Sequence, residues 1–247
     1  MPEPAIDGRL KANYEDFYQS RNVAEWRRLG AIDKTANILK LCRDVPHDTV
    51  LEIGAGNGAI LENLSAKGFA KEFRALDVSS SGVDQIRSKN IPGLVEAATF
   101  DGYRTPYADD QFDLVILSHV VEHVEHPRLL LYEAARVGKR LFVEIPLEDN
   151  ARLADEFVFD HVGHINVYSL KTMRRLLQSC RFRVLGETVA NHSKAIYVFQ
   201  KGRKGLFNYY VKQGLLRMAP RLAIALYVYH AAFLCVKAAD GEQPGSV

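Results

Sequence analysis

Residues Val50-Leu51-Glu52-Ile53-Gly54-Ala55-Gly56-Asn57-Gly58 run from an apolar segment straight into a glycine-rich turn. Glycines there permit positive φ and let a ligand approach the backbone closely. Glu52 precedes the turn, and Asp77 and Asp101 close the next two apolar segments. A carboxylate at the end of a second strand can accept hydrogen bonds from both hydroxyls of a ribose. One at the end of the third could reach an adenine amino group. Histidine is the second concentration of chemistry: His119, His123, His126, His161 and His164 fall within 46 residues. Imidazole titrates near neutrality and suits removal of a proton from an attacking group. His123, His161 and His164 are the candidates for that base. His126, directly before Pro127, reads as surface at a helix entry.

These groups need a scaffold that brings strand ends together. Apolar runs of strand length recur at residues 49–53, 73–77, 94–100, 112–118 and 140–145. Helix-length stretches lie between most of them, at 58–67, 80–90 and 127–137. Such alternation predicts a parallel sheet covered by helices on both faces, with ligands outside the carboxyl ends of the strands. A helix around Leu170, Met173, Leu176 and Leu177 follows, then strands at 182–189 and 195–200 joined through Asn191-His192-Ser193. The sheet would end on an antiparallel strand. Upstream, Ile32, Ala36, Leu39 and Cys42 have helical spacing, and Tyr14, Phe17 and Tyr18 suggest a short aromatic-faced helix.

Two ligands compete for the glycine turn. Gly54-x-Gly56-x-x-Ala59 satisfies the dinucleotide pattern, with Asp77 at a workable distance. Glu52 extends the motif to ExGxGxG, and Asp101 adds a third acid. A pyrophosphate prefers a helix N-terminus without carboxylates nearby. A sulfonium beside an amino group tolerates them, which favours S-adenosylmethionine.

The order of motifs resembles the class I S-adenosylmethionine-dependent methyltransferases of the type 11 group, over about residues 30–200. It runs through the Val50–Gly58 turn, Ala75-Leu-Asp77-Val-Ser79, Phe100-Asp-Gly102 and Ser118-His-Val-Val-Glu-His-Val124. The resemblance implies a Rossmann-like, seven-stranded, mostly parallel α/β sheet with its last strand antiparallel. It also implies cofactor contacts at Glu52, Gly54, Gly56, Asp77, Asp101 and Gly102, with Ser118 and His119 close by. The connection 147–168, which holds Glu148, Asp149, Phe157, Phe159 and Tyr168, usually forms part of the acceptor pocket in this family.

A metal is a less favoured reading. His119-Val-Val-Glu122-His123 matches an inverted zinc-peptidase string, but that string needs a continuous helix and His119 sits at a strand end. The ubiquinone-type O-methyltransferases are similar here, with an acid-x-x-Glu-His associated with a divalent ion. This chain carries His119 where they carry the acid, and hard ions prefer oxygen. No metal ligands are therefore assigned.

Composition bounds the remaining classes. The 247 residues carry 32 basic and 30 acidic groups, too balanced for a dedicated nucleic-acid binder. Three scattered cysteines make no CxxC and argue against a disulfide framework. The N-terminus lacks the apolar run of a secretory signal, so a cytoplasmic protein is expected. Residues 201–221 hold six cations and no acid, and residues 222–236 are apolar except for His230. Read as one helix, that tail is too short to span a bilayer. It predicts packing, homodimerisation or peripheral contact at the cytoplasmic face of a membrane. The expected organisation is an N-terminal helical cap (1–46), a methyltransferase domain (47–202) and a basic, apolar helical tail (203–247). The expected reaction is methyl transfer to oxygen on a small or lipid-linked acceptor, sugar or phenol. A nicotinamide-dependent oxidoreductase and a non-catalytic sensor or scaffold are the alternatives.

Overall fold

The computed structural model describes residue 8 and residues 21–157 and 163–238. After α1 (Arg21–Cys42), strands and helices alternate as β1 (Thr49–Ile53), α2 (Ala59–Ser65), β2 (Glu72–Asp77), α3 (Ser80–Ser88), β3 (Leu94–Thr99), β4 (Leu114–Ser118), α4 (Pro127–Val137) and β5 (Arg140–Pro146). Then come α5 (Leu170–Ser179), β6 (Phe182–Ala190), α6 (Lys194–Lys201), α7 (Gly205–Met218), α8 (Pro220–Leu226) and β7 (His230–Lys237). One seven-stranded sheet results, in the order β3-β2-β1-β4-β5-β7-β6. β7 lies antiparallel between β5 and β6, and the other strands are parallel to one another.

The central strands are apolar on both faces because both faces are covered. In β4, Val115 and Leu117 point to the side of α4 and α5, while Leu114 and Ile116 point to the side of α1, α2 and α3. β5 divides in the same way between Leu141 and Val143 on one side and Phe142 on the other. Each fully buried large apolar side chain of this kind contributes roughly 1.5–3 kcal/mol.

α1 buries Ala31, Ile38 and Cys42, with Thr35 between them. Of the expected Ile32, Ala36, Leu39 and Cys42, Cys42 is on the buried face, the first three lie one residue off it, and Ile32 is exposed. α1 is held across the sheet by Lys40 Nζ, which donates to Thr188 Oγ1 of β6 at 2.7 Å. The expected aromatic helix at Tyr14, Phe17 and Tyr18 lies outside the described residues.

The C-terminal third corrects the sequence reading. Residues 195–200 form helix α6, not the last strand. Their β-branched and aromatic composition favours a strand, yet only Ile196 and Tyr197 are buried, a one-sided helical burial. Tertiary context overrides weak β-propensity. The apolar run 222–236 is not one helix either. α8 ends at Leu226, and Ala231–Cys235 are buried as the core of β7. Phe233 and Cys235 face one side of the sheet, and Ala232 and Leu234 face the other. The run is apolar because it is an inner strand, so the expected boundary at 202/203 cuts through the sheet-forming unit. Among the described residues, no helix is long and apolar enough to cross a membrane.

Candidate active site

The carboxyl ends of β1, β2, β4 and β5 open into a cavity of about 400 Å³. The glycine turn forms one wall. Gly54 has φ +74°, and a Cβ there would lie 2.4 Å from Val120 Cγ2, so only glycine lets the turn sit this close to the loop after β4. Asp77 fastens the turn from β2: Oδ2 accepts from Gly56 N at 2.7 Å, and Oδ1 accepts from Ser79 N at 2.9 Å. Glu52 is 1% exposed and lines the same cavity, and its Oε2 has no hydrogen-bond partner. Burial raises its carboxyl to about 8, helped by the nearby Asp77 charge and opposed by Lys34. A buried carboxylate oxygen without a donor is costly, and a bound ammonium or sulfonium would relieve it. The turn and Glu52 thus fit S-adenosylmethionine.

Of the expected cofactor contacts, Glu52, Gly54, Gly56, Asp77, Gly102, Ser118 and His119 line the cavity. Asp101 does not. It is exposed, and its Oδ1 accepts from the backbone N–H groups of Tyr103 and Arg104, each at 2.7 Å. An aspartate opening a turn satisfies local amides, and here one of its two oxygens does so. Phe100 lines the cavity from the same segment.

Five histidines line the same cavity: His119, His123, His164, His192 and His230. His119 leaves β4 at φ +58°, a conformation that stores roughly 1–3 kcal/mol and concentrates at functional sites. Its Nδ1 lies 3.0 Å from Glu122 Oε1, and its Nε2 lies 3.0 Å from His230 Nδ1. Burial holds both His119 and His230 well below the usual histidine range, so both are neutral at pH 7. His123 Nδ1 lies 3.0 Å from the Gly163 carbonyl. It must therefore carry the proton, which makes Nε2 the ring's acceptor. Burial lowers its pKa as well. His164 Nδ1 lies 2.8 Å from Glu148 Oε2, and its ring meets that of His123 edge-on, with centroids 4.7 Å apart. His161 lies outside the described residues.

Several cavity residues escaped the sequence reading. Lys34 enters from α1, among Glu52, Glu122 and Glu144. Burial pulls its pKa down, and the three carboxylates oppose that. Glu144 does not line the cavity itself; it is buried on β5, where its oxygens accept from Asn37 Nδ2 at 2.7 Å and from Ser118 Oγ at 3.0 Å. Burial raises it to about 7. His192 and His230 arrive from the segments misread as a hairpin and a tail, and their rings meet edge-on with centroids 4.2 Å apart. The one signal for His230 was a lone titratable residue inside an otherwise apolar run. Two triads, His119/Glu144/His230 and Glu122/His123/His164, each bring ligand-type atoms within 4.8 Å of one another. The contacts given above engage nitrogens of all four histidines, whereas both oxygens of Glu122 are buried without a hydrogen-bond partner.

A methyltransferase-domain family matches residues 20–186. A putative methyltransferase, YrhH of Bacillus subtilis (strain 168), is 32% identical over 93 residues, covering 37% of this chain and 52% of that protein. The ubiquinone/menaquinone biosynthesis C-methyltransferase UbiE of Ectopseudomonas mendocina (strain ymp) is 26% identical over 159 residues, covering 58% of this chain and 62% of that one. The chain spans about half the length of the first curated relatives it matches. Among solved structures, a chain of the complex between the Haloferax volcanii Trm112 methyltransferase activator and a putative methyltransferase shares the fold. Its TM-score is 0.64 at 17% identity, over 92% of this chain and 98% of that one. Together with the Glu52–Gly58 turn, the family match decides between the two ligands that the turn admits. The chain belongs to the methyltransferase-domain family, as a class I S-adenosylmethionine-dependent member.

Proposed function

We propose that this protein transfers a methyl group from S-adenosylmethionine to a hydroxyl oxygen of a small or lipid-linked acceptor. The observation that carries the reading is one cavity lined by two unlike sets of groups. One is a glycine turn with unpartnered buried carboxylate. The other is a set of imidazoles, three of which are held neutral by burial. S-adenosylmethionine, when bound, supplies an activated methyl on a sulfonium. The chain supplies alignment, the larger contribution in such displacements, and a place for the acceptor's proton.

His164 is the favoured base. The Glu148 carboxylate accepts from its Nδ1–H, which fixes the tautomer and makes Nε2 the ring's acceptor. Glu148 also stabilises the imidazolium that results. His123 is the second candidate, with Nδ1–H turned to the Gly163 carbonyl in the same way. It lacks a carboxylate on that nitrogen and is the weaker base. His161 stays a candidate on its sequence position alone. As the O–C bond forms and the C–S bond breaks, the hydroxyl proton passes to imidazole, leaving a methyl ether and S-adenosylhomocysteine.

The test is a screen of hydroxylated acceptors, phenols and lipid-linked sugars, read as S-adenosylhomocysteine formed. With an acceptor in hand, His164→Ala should lower kcat by about 10²–10⁴-fold while S-adenosylhomocysteine affinity stays unchanged. His164→Ala with full turnover would remove it as the base. An acceptor methylated at carbon or nitrogen would overturn the oxygen assignment.

A further inference from the structure

α7 carries its exposed side chains in one stripe. Phe207 and Met218 are 74% and 82% exposed, and Tyr210 and Val211 are exposed between them. Their spacing places them on a single helix face. The other face is occupied: Leu215 and Leu216 pack against the core, as do Ala223 and Ile224 of α8. Phe207, Val211 and Met218 stay exposed on that stripe, whereas Tyr210 is engaged: its hydroxyl accepts from Lys194 Nζ at 2.9 Å. Cations flank the stripe. Lys201, Arg203 and Lys204 precede it, Arg217 and Arg221 close it, and all five are exposed. No Asp or Glu occurs between Asn191 and Tyr229. The stretch also lies beyond the matched family region, which ends at residue 186.

We propose that the α7–α8 hairpin docks this protein on an anionic lipid surface. The pairing of exposed aromatic and aliphatic tips with flanking cations is that of a helix lying in the headgroup layer. Neither helix could do more: fourteen and seven residues reach about 21 and 10 Å, short of the hydrocarbon core. A second copy of this chain is a poor occupant, because a two-fold contact would set cation against cation. A nucleic acid would pair with the cations but leave Phe207, Val211, Met218 and Leu222 facing phosphate and water. Lipid satisfies both features. The hairpin leads directly into Val228 and His230, which line the cavity. The docking does not depend on the reaction proposed above. If both hold, a docked acceptor site would lie next to the bilayer surface.

The test floats full-length protein with vesicles of phosphatidylcholine alone and of phosphatidylcholine with phosphatidylglycerol, at low and high salt. The proposal expects flotation with the anionic vesicles at low salt and its loss at high salt. Arg217→Glu with Arg221→Glu should lower partitioning by about tenfold or more. Phe207→Ser with Met218→Ser should lower it on the same vesicles by removing the inserted tips. Calorimetry with S-adenosylhomocysteine on each variant reports whether the domain is intact, and single Lys204→Glu replaces any variant that fails it. Four results would overturn the proposal: no flotation with anionic vesicles, equal flotation with neutral ones, variants that float like the wild type, or tighter binding to single-stranded RNA than to vesicles.

Discussion

Glu52→Gln tests whether the orphaned carboxylate at the glycine turn holds the ligand's cation. Burial raises the Glu52 carboxyl to about 8, so at pH 7 only about a tenth of the unliganded protein has it ionised. Lys34 and Lys89 pull the value down and Asp77 pushes it up. An ammonium brought against the carboxylate favours the charged form. Binding S-adenosylhomocysteine at pH 7 should then release about 0.9 proton. Apparent affinity should rise about fivefold from pH 7 to pH 8, as the competent fraction grows from about a tenth to a half. The assay is calorimetry in two buffers of different ionisation heat, across that pH range. Glutamine keeps the side chain's shape and removes the titration, so the variant should release little proton and show a shallow profile. Glu144 remains in both proteins with its carboxylate bonded to Asn37 and Ser118, so any release from it cancels in the comparison. A variant that releases as much proton as the wild type would refute the reasoning.

Asp77→Asn keeps the volume but turns an amide donor toward the N–H of Gly56 or Ser79. It should weaken S-adenosylhomocysteine binding by about 1–3 kcal/mol in calorimetry, and unchanged affinity would strip Asp77 of its role. Phe233→Ala should lower stability by about 3–5 kcal/mol in denaturant unfolding, because Phe233 is fully buried on the inner strand β7. A harmless Phe233→Ala would mean that the C-terminal segment is an appendage after all. Unliganded stability should fall as pH rises above about 6.5. Folded Glu52 and Glu144 keep protons, up to about 8 and about 7, that the unfolded chain has released. The unfolded state therefore binds fewer protons, and the loss by pH 8 is of order 2–3 kcal/mol. Below about 6.5 the buried neutral histidines oppose that trend, since the unfolded chain protonates them and the folded one does not. Thermal melts from pH 5 to 8.5 that rise steadily would contradict both assignments.

The glycine-turn side of the cavity was legible because it is local. Glu52, Gly54 and Gly56 lie within one turn, and Asp77 ends the next strand, so spacing alone places them together. Asp101 lies outside the cavity lining; a sequence shows that an acid follows a strand, not whether its own turn takes up one of its oxygens. The sheet was legible up to β6 for the same reason: each strand is followed by its own crossover. β7 was not, because α6–α8 separate it from β6, and because Ala195-Ile-Tyr-Val-Phe199 is richer in β-branched and aromatic residues than Ala231-Ala-Phe-Leu-Cys235, so propensity favours the wrong segment. Only the sheet's demand for an inner strand selects the right one.

The histidine-lined part of the cavity is built from distance. Lys34 comes from α1, His164 from the connection after β5, His192 from the turn before α6 and His230 from β7. No window of sequence contains more than a fragment of this set, so no motif can report it. That dispersion also explains the unusual electrostatics. Each element brings a polar group that would be solvated on its own, and the sheet buries them together. Lys34 among three carboxylates and neutral imidazoles against one another are what such burial leaves. Charge entering the cavity meets groups that have already given up their water and need not reorganise to receive it, the condition under which fixed dipoles stabilise a developing charge most strongly. Specificity for the acceptor then belongs to the assembled fold rather than to the glycine-turn motif. A relative that shares the Glu52–Gly58 motif but lacks Lys34, His192 and His230 would bind the same methyl donor and methylate something else.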